Sequence, residues 1–544
     1  MQFATPAPEP KAPPFDPAIW LARLPADAGR ILLVGPDVAA LGRALSARAP
    51  AALVRQAAEL PRAGSFDAVA LVDAWARARD SEACLAAAAA LLAEGGVLLA
   101  DVPNAEHWRF AERLLAGGWT PADGPNGPGE LRLFVLAATR EALAAAGLTP
   151  IDAQPLEVDL AGARDFAARI GPGLAAYGRT PDEYLRRAAP RRLLWRAMRG
   201  RPARLLVAAQ VLKPVGGVND VRIHLPLATL ATAPGITVSI AEGAPPAAPP
   251  EEVPRVMILQ RRLLDSPLAP AFVARLRAQG YVIVQEFDDD PAHWPSIAAS
   301  DHFAFRGVHA VQTSTPALAE LLRGFNPELA IFPNSVDALP ELANFQDTRR
   351  LRLFLGALRR EEDFAPLLPA LNRLLAAAGE RLFLEVVFDQ ATHAALATPH
   401  KRFHPLLAYP AYRTLLGSCD VALLPLNDTR FNRFKSDLKY IECAAHGLAV
   451  IASPVVYGAS IADGRTGVIA RTPEAFAEAL AGFLEDPARA RRLGLAARAE
   501  VAAMRMMATQ MPARRAWYRS LWDRREALDQ ALLARAPSIG AVTL

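Results

Sequence analysis

The stretch "FKSDLKYIECAAHGLAVIASPV", residues 434–455, carries Lys435, Lys439 and Glu442 at successive intervals of four and three. If it opens as one helix, those three side chains share a narrow stripe, because residues three and four apart are helical neighbours. Phe434, Leu438, Ile441 and Ala445 form the adjoining apolar stripe, so the charges stand at the rim of a buried face. Fixed cations in such a place can neutralise developing negative charge, and a carboxylate can accept hydrogen bonds. The plainer alternative is a surface ladder of ion pairs, worth little. The elements around the stripe decide between the two.

Other segments hold groups able to bind. "PVGGVNDVRIHLP" follows a strand-like run and opens a helix, and Gly216 and Gly217 would let backbone approach a phosphate or sugar at the helix start. Tight strand-to-helix turns also need glycine for their own sake. "QEFDDDP" places Asp288, Asp289 and Asp290 after a strand, at the edge where open sheets hold ligands. Thr313 or Ser314 can cap the helix that begins near Pro316.

Length and composition bound the architecture. With 544 residues, 52% apolar and 21% charged, the chain is globular and too long for one core. Its 60 basic and 56 acidic residues leave a net charge of +4, too balanced to point to nucleic acid. Cys84, Cys419 and Cys443 have no paired spacing, which excludes a disulfide framework or zinc knuckle and suits a reducing compartment. "MQFATPAPEPKAPPFDP" is proline-rich, lacks the apolar block of a secretory signal and reads as a disordered leader. "CLAAAAALLA" at 84–93 is too short to span a bilayer. A cytoplasmic protein is expected, with membrane contact at most peripheral.

Short apolar strands alternate with helical patterns throughout, as in "RILLVG", "FDAVALV", "RVMILQR", "YVIVQEFD", "RLRLFLGA" and "VALLPL". Unbroken apolar strands separated by helices indicate an α/β chain with parallel sheets covered on both faces. The expected division is a leader (1–17), a Rossmann-like domain (18–155), a helical arginine-rich linker (156–203), two further Rossmann-like domains (204–340 and 341–512), and a terminal helix and tail (513–544). "LLVAAQVL" near 205 can close the first sheet or open the second. Trp517, Tyr518 and Trp522 are expected to pack back on the domain.

Within the first domain, "RILLVGPDVAALGRALSARAP", "GSFDAVALVDAW" and "LLAEGGVLLADVPN" follow one another in an order that resembles class I S-adenosylmethionine-dependent methyltransferases. The resemblance covers residues 25–155, and "LRLFVLAATREALAAAGLTP" looks like that family's closing strand and helix. The positions that would bind the cofactor depart from the family. Leu33 stands where an acid is usual, Asp37 and Ala39 where glycines are, and Arg55 and Gln56 where an acid would hold the ribose; Gly35 alone remains of the loop. A side chain at each missing glycine restricts the turn and crowds the ligand. The resemblance therefore implies a methyltransferase-type fold that has lost S-adenosylmethionine chemistry.

The segment from "KSDLKYIECAAHGLAVIASPV" through "DGRTG" to "EDPARARRLG" resembles the carboxyl-terminal half of GT-B glycosyltransferases, most of all the retaining group that includes sucrose synthase. With residues 204–340 as the other half, the resemblance covers the last 340 residues or so. It implies a nucleotide-sugar donor between the two halves, no bound metal, and transfer to an acceptor hydroxyl on a glycan, lipid-linked glycan or protein. Glu442 would accept hydrogen bonds from the donor's ribose; Lys435 with Arg359 or Arg360, the latter from "GALRREED", would stabilise the departing diphosphate. Lys439 would orient Glu442, and Gly216, Gly217, Gly447 and Ser453 would also border the donor. The second glutamate common in the retaining group is replaced by Phe434.

Asp288, Asp290 and His224 are expected at the acceptor side of the cleft, and His302 and His309 are further candidates for a base. Three aspartates could alternatively hold a divalent cation, as the Asp-x-Asp signature of GT-A glycosyltransferases does, or form a solvated turn. Two other functions stay open at this point: a bifunctional enzyme that still methylates, and a non-catalytic scaffold that binds sugar or nucleotide.

Overall fold

The computed structural model describes residues 15–36, 38–117, 133–213, 217–246, 253–342, 350–356 and 360–542. Most of the expected leader, together with Asp37, Gly216 and Arg359, lies outside them. The chain divides into two compact units, the first built mainly from residues up to Ala203 and the second mainly from Arg204 to Leu544. Among the described residues three six-stranded sheets form, one in the first unit and two in the second.

The first sheet contains β1 (Arg30–Val34), β2 (Leu53–Ala57), β3 (Phe66–Leu71), β4 (Leu92–Pro103), β5 (Leu148–Val158) and β6 (Pro190–Arg199), in the order β2-β1-β3-β4-β6-β5. The first four run parallel, as their apolar runs require. Leu32, Val34, Val69 and Leu71 bury one face of the sheet, while Ile31, Leu33, Ala68 and Ala70 bury the other. Alternate side chains point to opposite faces, so a sheet covered twice needs apolar residues at every position.

Strand β6 corrects the expected helical linker. Residues 160–188 do form two helices, but Pro190–Arg199 inserts antiparallel between β4 and β5. Its arginines had suggested a solvated helix. Inside the sheet they are neutralised: Arg192 Nε donates to Asp101 Oδ2 at 3.0 Å and its Nη2 to Asp73 Oδ1 at 2.8 Å, and Arg196 bonds Asp152 at 2.6 and 2.9 Å. Sequence periodicity does not show carboxylates that arrive from other strands. Gly35, with φ +136°, has the carbonyl of Val72 1.9 Å from where a Cβ would stand, so backbone closeness alone accounts for this glycine.

The second unit holds two all-parallel sheets. One contains β7 (Leu205–Val211), β8 (Ile236–Glu242), β9 (Arg255–Gln260), β10 (Val282–Glu286), β11 (Ala310–Thr313) and β12 (Leu329–Ile331), ordered β12-β11-β10-β9-β7-β8. The run "LLVAAQVL" therefore opens the second sheet. The other contains β13 (Leu351–Gly356), β14 (Leu382–Val387), β15 (Lys401–His404), β16 (Val421–Leu424), β17 (Ala449–Ala452) and β18 (Val468–Ile469), ordered β15-β14-β13-β16-β17-β18. Both are Rossmann-like, as expected. Each order reverses once, between β7 and β9 in one sheet and between β13 and β16 in the other, and open sheets bind ligands outside the carboxyl ends of the strands at such reversals.

The terminal helices Met507–Asp523 and Arg525–Arg535 return to the first of these sheets. Leu532, Ala536 and Ile539 join its core, and the Tyr518 hydroxyl, fully buried, donates to Gln312 Oε1 at 2.8 Å. Trp517 meets Phe332 edge-on at 5.5 Å. Among the described residues no helix is long and apolar enough to cross a membrane.

Candidate functional site

The carboxyl ends of both sheets of the second unit open onto one cavity of about 320 Å³. Gly217 follows β7, Arg261 follows β9 and Asp289 follows β10; Gly356 ends β13 and Arg360 follows it, and Leu424 ends β16 with Pro425 and Leu426 after it. Lys435, Lys439, Glu442, Tyr409, Tyr412 and Tyr457 complete its polar lining among the described residues. Four cations face two carboxylates, so the lining favours an anion.

The stretch that carries Lys435, Lys439 and Glu442 is only partly helical. One short helix covers Arg430–Arg433 and the next begins at Leu438, leaving Lys435 in the connection. Asp437, at the amino end of the second helix, is held by both Nη atoms of Arg505 at 2.6 and 2.8 Å and by the Ser460 hydroxyl at 2.6 Å. That anchor breaks the helix, yet the bend still delivers Lys435, Lys439 and Glu442 to the same cavity.

Lys435 Nζ lies 3.9 Å from the centroid of the Phe431 ring and 4.0 Å from Asp289 Oδ1. Burial lowers its pKa to about 8; Asp289 opposes the shift, and Arg360 and Arg261 add to it. Arg360 is fixed by Asp363 at 2.9 Å and by the Asn432 side-chain oxygen at 2.8 Å, while Asp363 also accepts from Asn432 and from the Asn427 amide.

Glu442 is 3% exposed and turned into the cavity. Its Oε1 accepts from the Tyr409 hydroxyl at 3.0 Å; its Oε2 accepts from the Tyr412 hydroxyl at 3.1 Å and from Lys439 Nζ at 3.4 Å. Lys439 also donates to the Tyr412 oxygen at 3.0 Å. Burial, and after it the Glu442 charge, raise both tyrosines above their usual range, so both hydroxyls keep their protons and donate.

Of the three aspartates, the middle one lines the cavity. Asp288 receives Arg261 Nε at 2.5 Å; burial disfavours its charge, but Arg261 and Arg222 hold its carboxyl below the usual range. Asp290 caps Ala292 and accepts from Arg430 Nε at 3.0 Å, bracing the cleft without entering it. Arg261 and Phe388, both in the lining, adopt φ of +45° and +68°. Such backbone strain collects where surrounding structure holds a binding group in place.

Several expected site residues do other work. Gly447 is not among the lining residues; it has φ +80° and ends the helix, with the Leu448 amide donating to the Cys443 carbonyl at 3.1 Å. Ser453 is likewise outside the lining, and its Oγ accepts from the Leu426 amide at 2.9 Å. His224 is half-buried and does not line the cavity. His302 stacks on Phe325 at 4.0 Å. His309 is buried between the Ile283 amide, 2.9 Å from Nδ1, and Asp529, 3.0 Å from Nε2. Changing Gly447 to alanine should therefore cost stability, about 1–2 kcal/mol from the left-handed backbone alone, with the Leu342 side chain 2.7 Å from the new Cβ adding to it. Thermal melting should fall while the folded protein keeps its affinity for an anion in the cavity.

Tyr409, Tyr412, Arg261 and Asp363 are site residues that sequence reasoning did not single out. Tyr409 and Tyr412 lie on the helix Tyr409–Leu416, about thirty residues before Glu442, and their spacing of three was the available signal.

Residues 349–486 match the family model described as glycosyl transferases group 1. No curated protein sequence is significantly similar to the chain. Among solved structures, a variant of TarM from S. aureus, in complex with fondaparinux, alpha-GlcNAc-glycerol and UDP, is 10% identical over 48% of this chain, with a TM-score of 0.38. The chain spans about half of that protein, 55% of its length. Anabaena HepE in complex with UDP-glucose is 13% identical, covering 57% of this chain and 97% of that one with a TM-score of 0.44. Sucrose-phosphate synthase from Thermosynechococcus elongatus is 16% identical, covering 59% and 99%, with a TM-score of 0.43. At such values neither chemistry nor substrate carries across. The family match falls on the part of the chain that bears Arg360, Lys435 and Glu442, and that part is similar to glycosyl transferases group 1.

Proposed function

We propose that the second unit is a GT-B glycosyltransferase that moves a sugar from a nucleotide donor to an acceptor hydroxyl. One observation carries this reading: a cation-rich cavity at two topological switch points, with a buried carboxylate at its wall, on a segment similar to glycosyl transferases group 1. The donor's diphosphate would lie among Lys435, Arg360 and Arg261, where fixed positive charge stabilises the leaving group more than the bound donor. Glu442 would accept hydrogen bonds from the ribose. Arg359 and Gly216, which adjoin lining residues in sequence, stay candidates for the phosphates. The acceptor would be a glycan, a lipid-linked glycan or a protein, as in bacterial surface polysaccharide or glycoprotein synthesis.

The first unit is proposed to be methyltransferase-like in fold without the chemistry. Its reversed strand β6 between β4 and β5 supports the resemblance. Against cofactor binding, Leu33 is buried in the core, and Arg192, Asp73 and Asp101 tie together the carboxyl ends of β3 and β4.

A thermal-shift screen with the common nucleotide sugars tests both statements. A donor of the enzyme should raise the melting temperature by mass action on the folded state, and S-adenosylmethionine should not, up to millimolar concentration. Failure of every nucleotide sugar to shift the transition would overturn the donor site, and a shift with S-adenosylmethionine would restore the bifunctional reading.

A further inference from the structure

The two tyrosines on Glu442 are held very differently. Tyr412 is built into the core of the third sheet: its ring meets Phe354 edge-on at 5.8 Å, Lys439 Nζ lies 4.3 Å above it, and it is 8% exposed. Tyr409 is the first residue of its helix and only half-buried. Its ring lies against Gly217, from the loop after β7 on the other sheet; a Cβ at Gly217 would stand 2.6 Å from Tyr409 Cδ2. Tyr409 thus reaches across the cleft between the two sheets, with its hydroxyl on Glu442 Oε1.

That oxygen is the one that a bound sugar hydroxyl would need. Oε2 is already shared by Tyr412, on the helix Tyr409–Leu416, and Lys439, on the helix Leu438–Ala445. With Glu442 3% exposed, a second donor gains access to Oε1 by displacing the first. The cavity, about 320 Å³, lies at the low end of the roughly 300–1,000 Å³ of ligand pockets, and withdrawal of a tyrosine ring from its wall would enlarge it.

Resting on the donor-site reading above, we propose that the Tyr409 hydroxyl is an internal stand-in for a ribose hydroxyl of the incoming nucleotide and leaves Glu442 when the nucleotide binds. Tyr412 stays, and positions the carboxylate. The hydrogen bond from Tyr409 stabilises the unliganded arrangement, so it lowers the fraction of molecules ready to bind and weakens apparent affinity by that fraction.

The proposal gives opposite signs for the two tyrosines. Tyr409→Phe keeps the ring and its contact with Gly217 but removes the competing hydroxyl; it should tighten binding of a nucleoside diphosphate by about ten- to hundredfold, the size of a hydrogen bond to a charged group. Tyr412→Phe should weaken it. In a Glu442→Gln background the gain from Tyr409→Phe should largely vanish, because the two changes act through one bond. Titration calorimetry of the full chain with UDP, GDP and ADP reads all of these, and Tyr409→Leu serves as a second variant with the same expected sign. Equal or weaker binding by both Tyr409 variants, while the wild type binds a diphosphate, overturns the proposal and leaves the donor site standing. Binding of none of the three to the wild type removes the donor reading and the proposal with it.

Discussion

Glu442→Gln is expected to lower kcat/KM for the nucleotide donor by about 10–10²-fold while moving the melting temperature little. Glutamine keeps the shape of the side chain and one acceptor oxygen, so the Tyr412 hydroxyl retains a partner. What it removes is the charge. Hydrogen bonds to an ionised acceptor are worth about 1.5–3 kcal/mol each, roughly twice their neutral counterparts. Losing that advantage at two ribose hydroxyls, about 1.5–3 kcal/mol together, corresponds to the stated range. Lys439, now without a carboxylate, still has the Tyr412 oxygen at 3.0 Å. A 2′-deoxynucleotide gives the control. In the wild type it should bind less well than the ribonucleotide, and in the Glu442→Gln variant the two should bind nearly alike. Undiminished activity, or a deoxy penalty that survives the substitution, would remove Glu442 from the donor site.

The strands were legible because buried parallel sheets need unbroken apolar runs, and "RILLV", "RVMILQ" and "VALL" have no other soluble use. Glu442 was legible through the GT-B resemblance of the segment that carries it, a helix followed by a glycine turn. Much of the rest depends on distances that spacing does not encode. Asp289 meets Lys435, and Asp290 meets Arg430, across about 140 residues of chain. Asp363 locks Arg360 only because Asn432 and the Asn427 amide arrive from beyond β16. Local patterns were also read too richly. Gly447 has the residue type of a close-approach glycine, but its φ of +80° serves the helix end. The histidines of the second sheet have suitable types and the wrong surroundings: His309 is fastened to a backbone amide and to Asp529. In β6 the arginine content outweighed the strand signal of the apolar run Leu193, Leu194 and Trp195, because the paired carboxylates Asp73, Asp101 and Asp152 come from elsewhere in the sheet or its loops.

Lys435 sets the expected pH dependence. Its burial favours the neutral amine, and Asp289 only partly offsets that, leaving a pKa of about 8. The useful form is the ammonium, since an uncharged amine cannot stabilise a departing diphosphate. Activity limited by this group is therefore present below about pH 8 and lost as pH rises through it. In a profile of kcat/KM, which reports the free enzyme, a falling basic limb should appear there. Lys435→Met should lower kcat by about 10²–10³-fold, the cost of removing one well-placed donor to developing charge, and should abolish that limb. Lys435→Arg keeps a cation far above pH 8 and should carry the plateau to higher pH. Its lower maximum follows from the guanidinium's poorer fit to the site 3.9 Å above Phe431. Asp289→Asn removes the charge that holds the lysine pKa up, so the limb should move to lower pH. The four profiles together separate this lysine from any other titrating group: a basic limb that persists near pH 8 in Lys435→Met belongs to another residue, and with it goes the role of Lys435 at the leaving group.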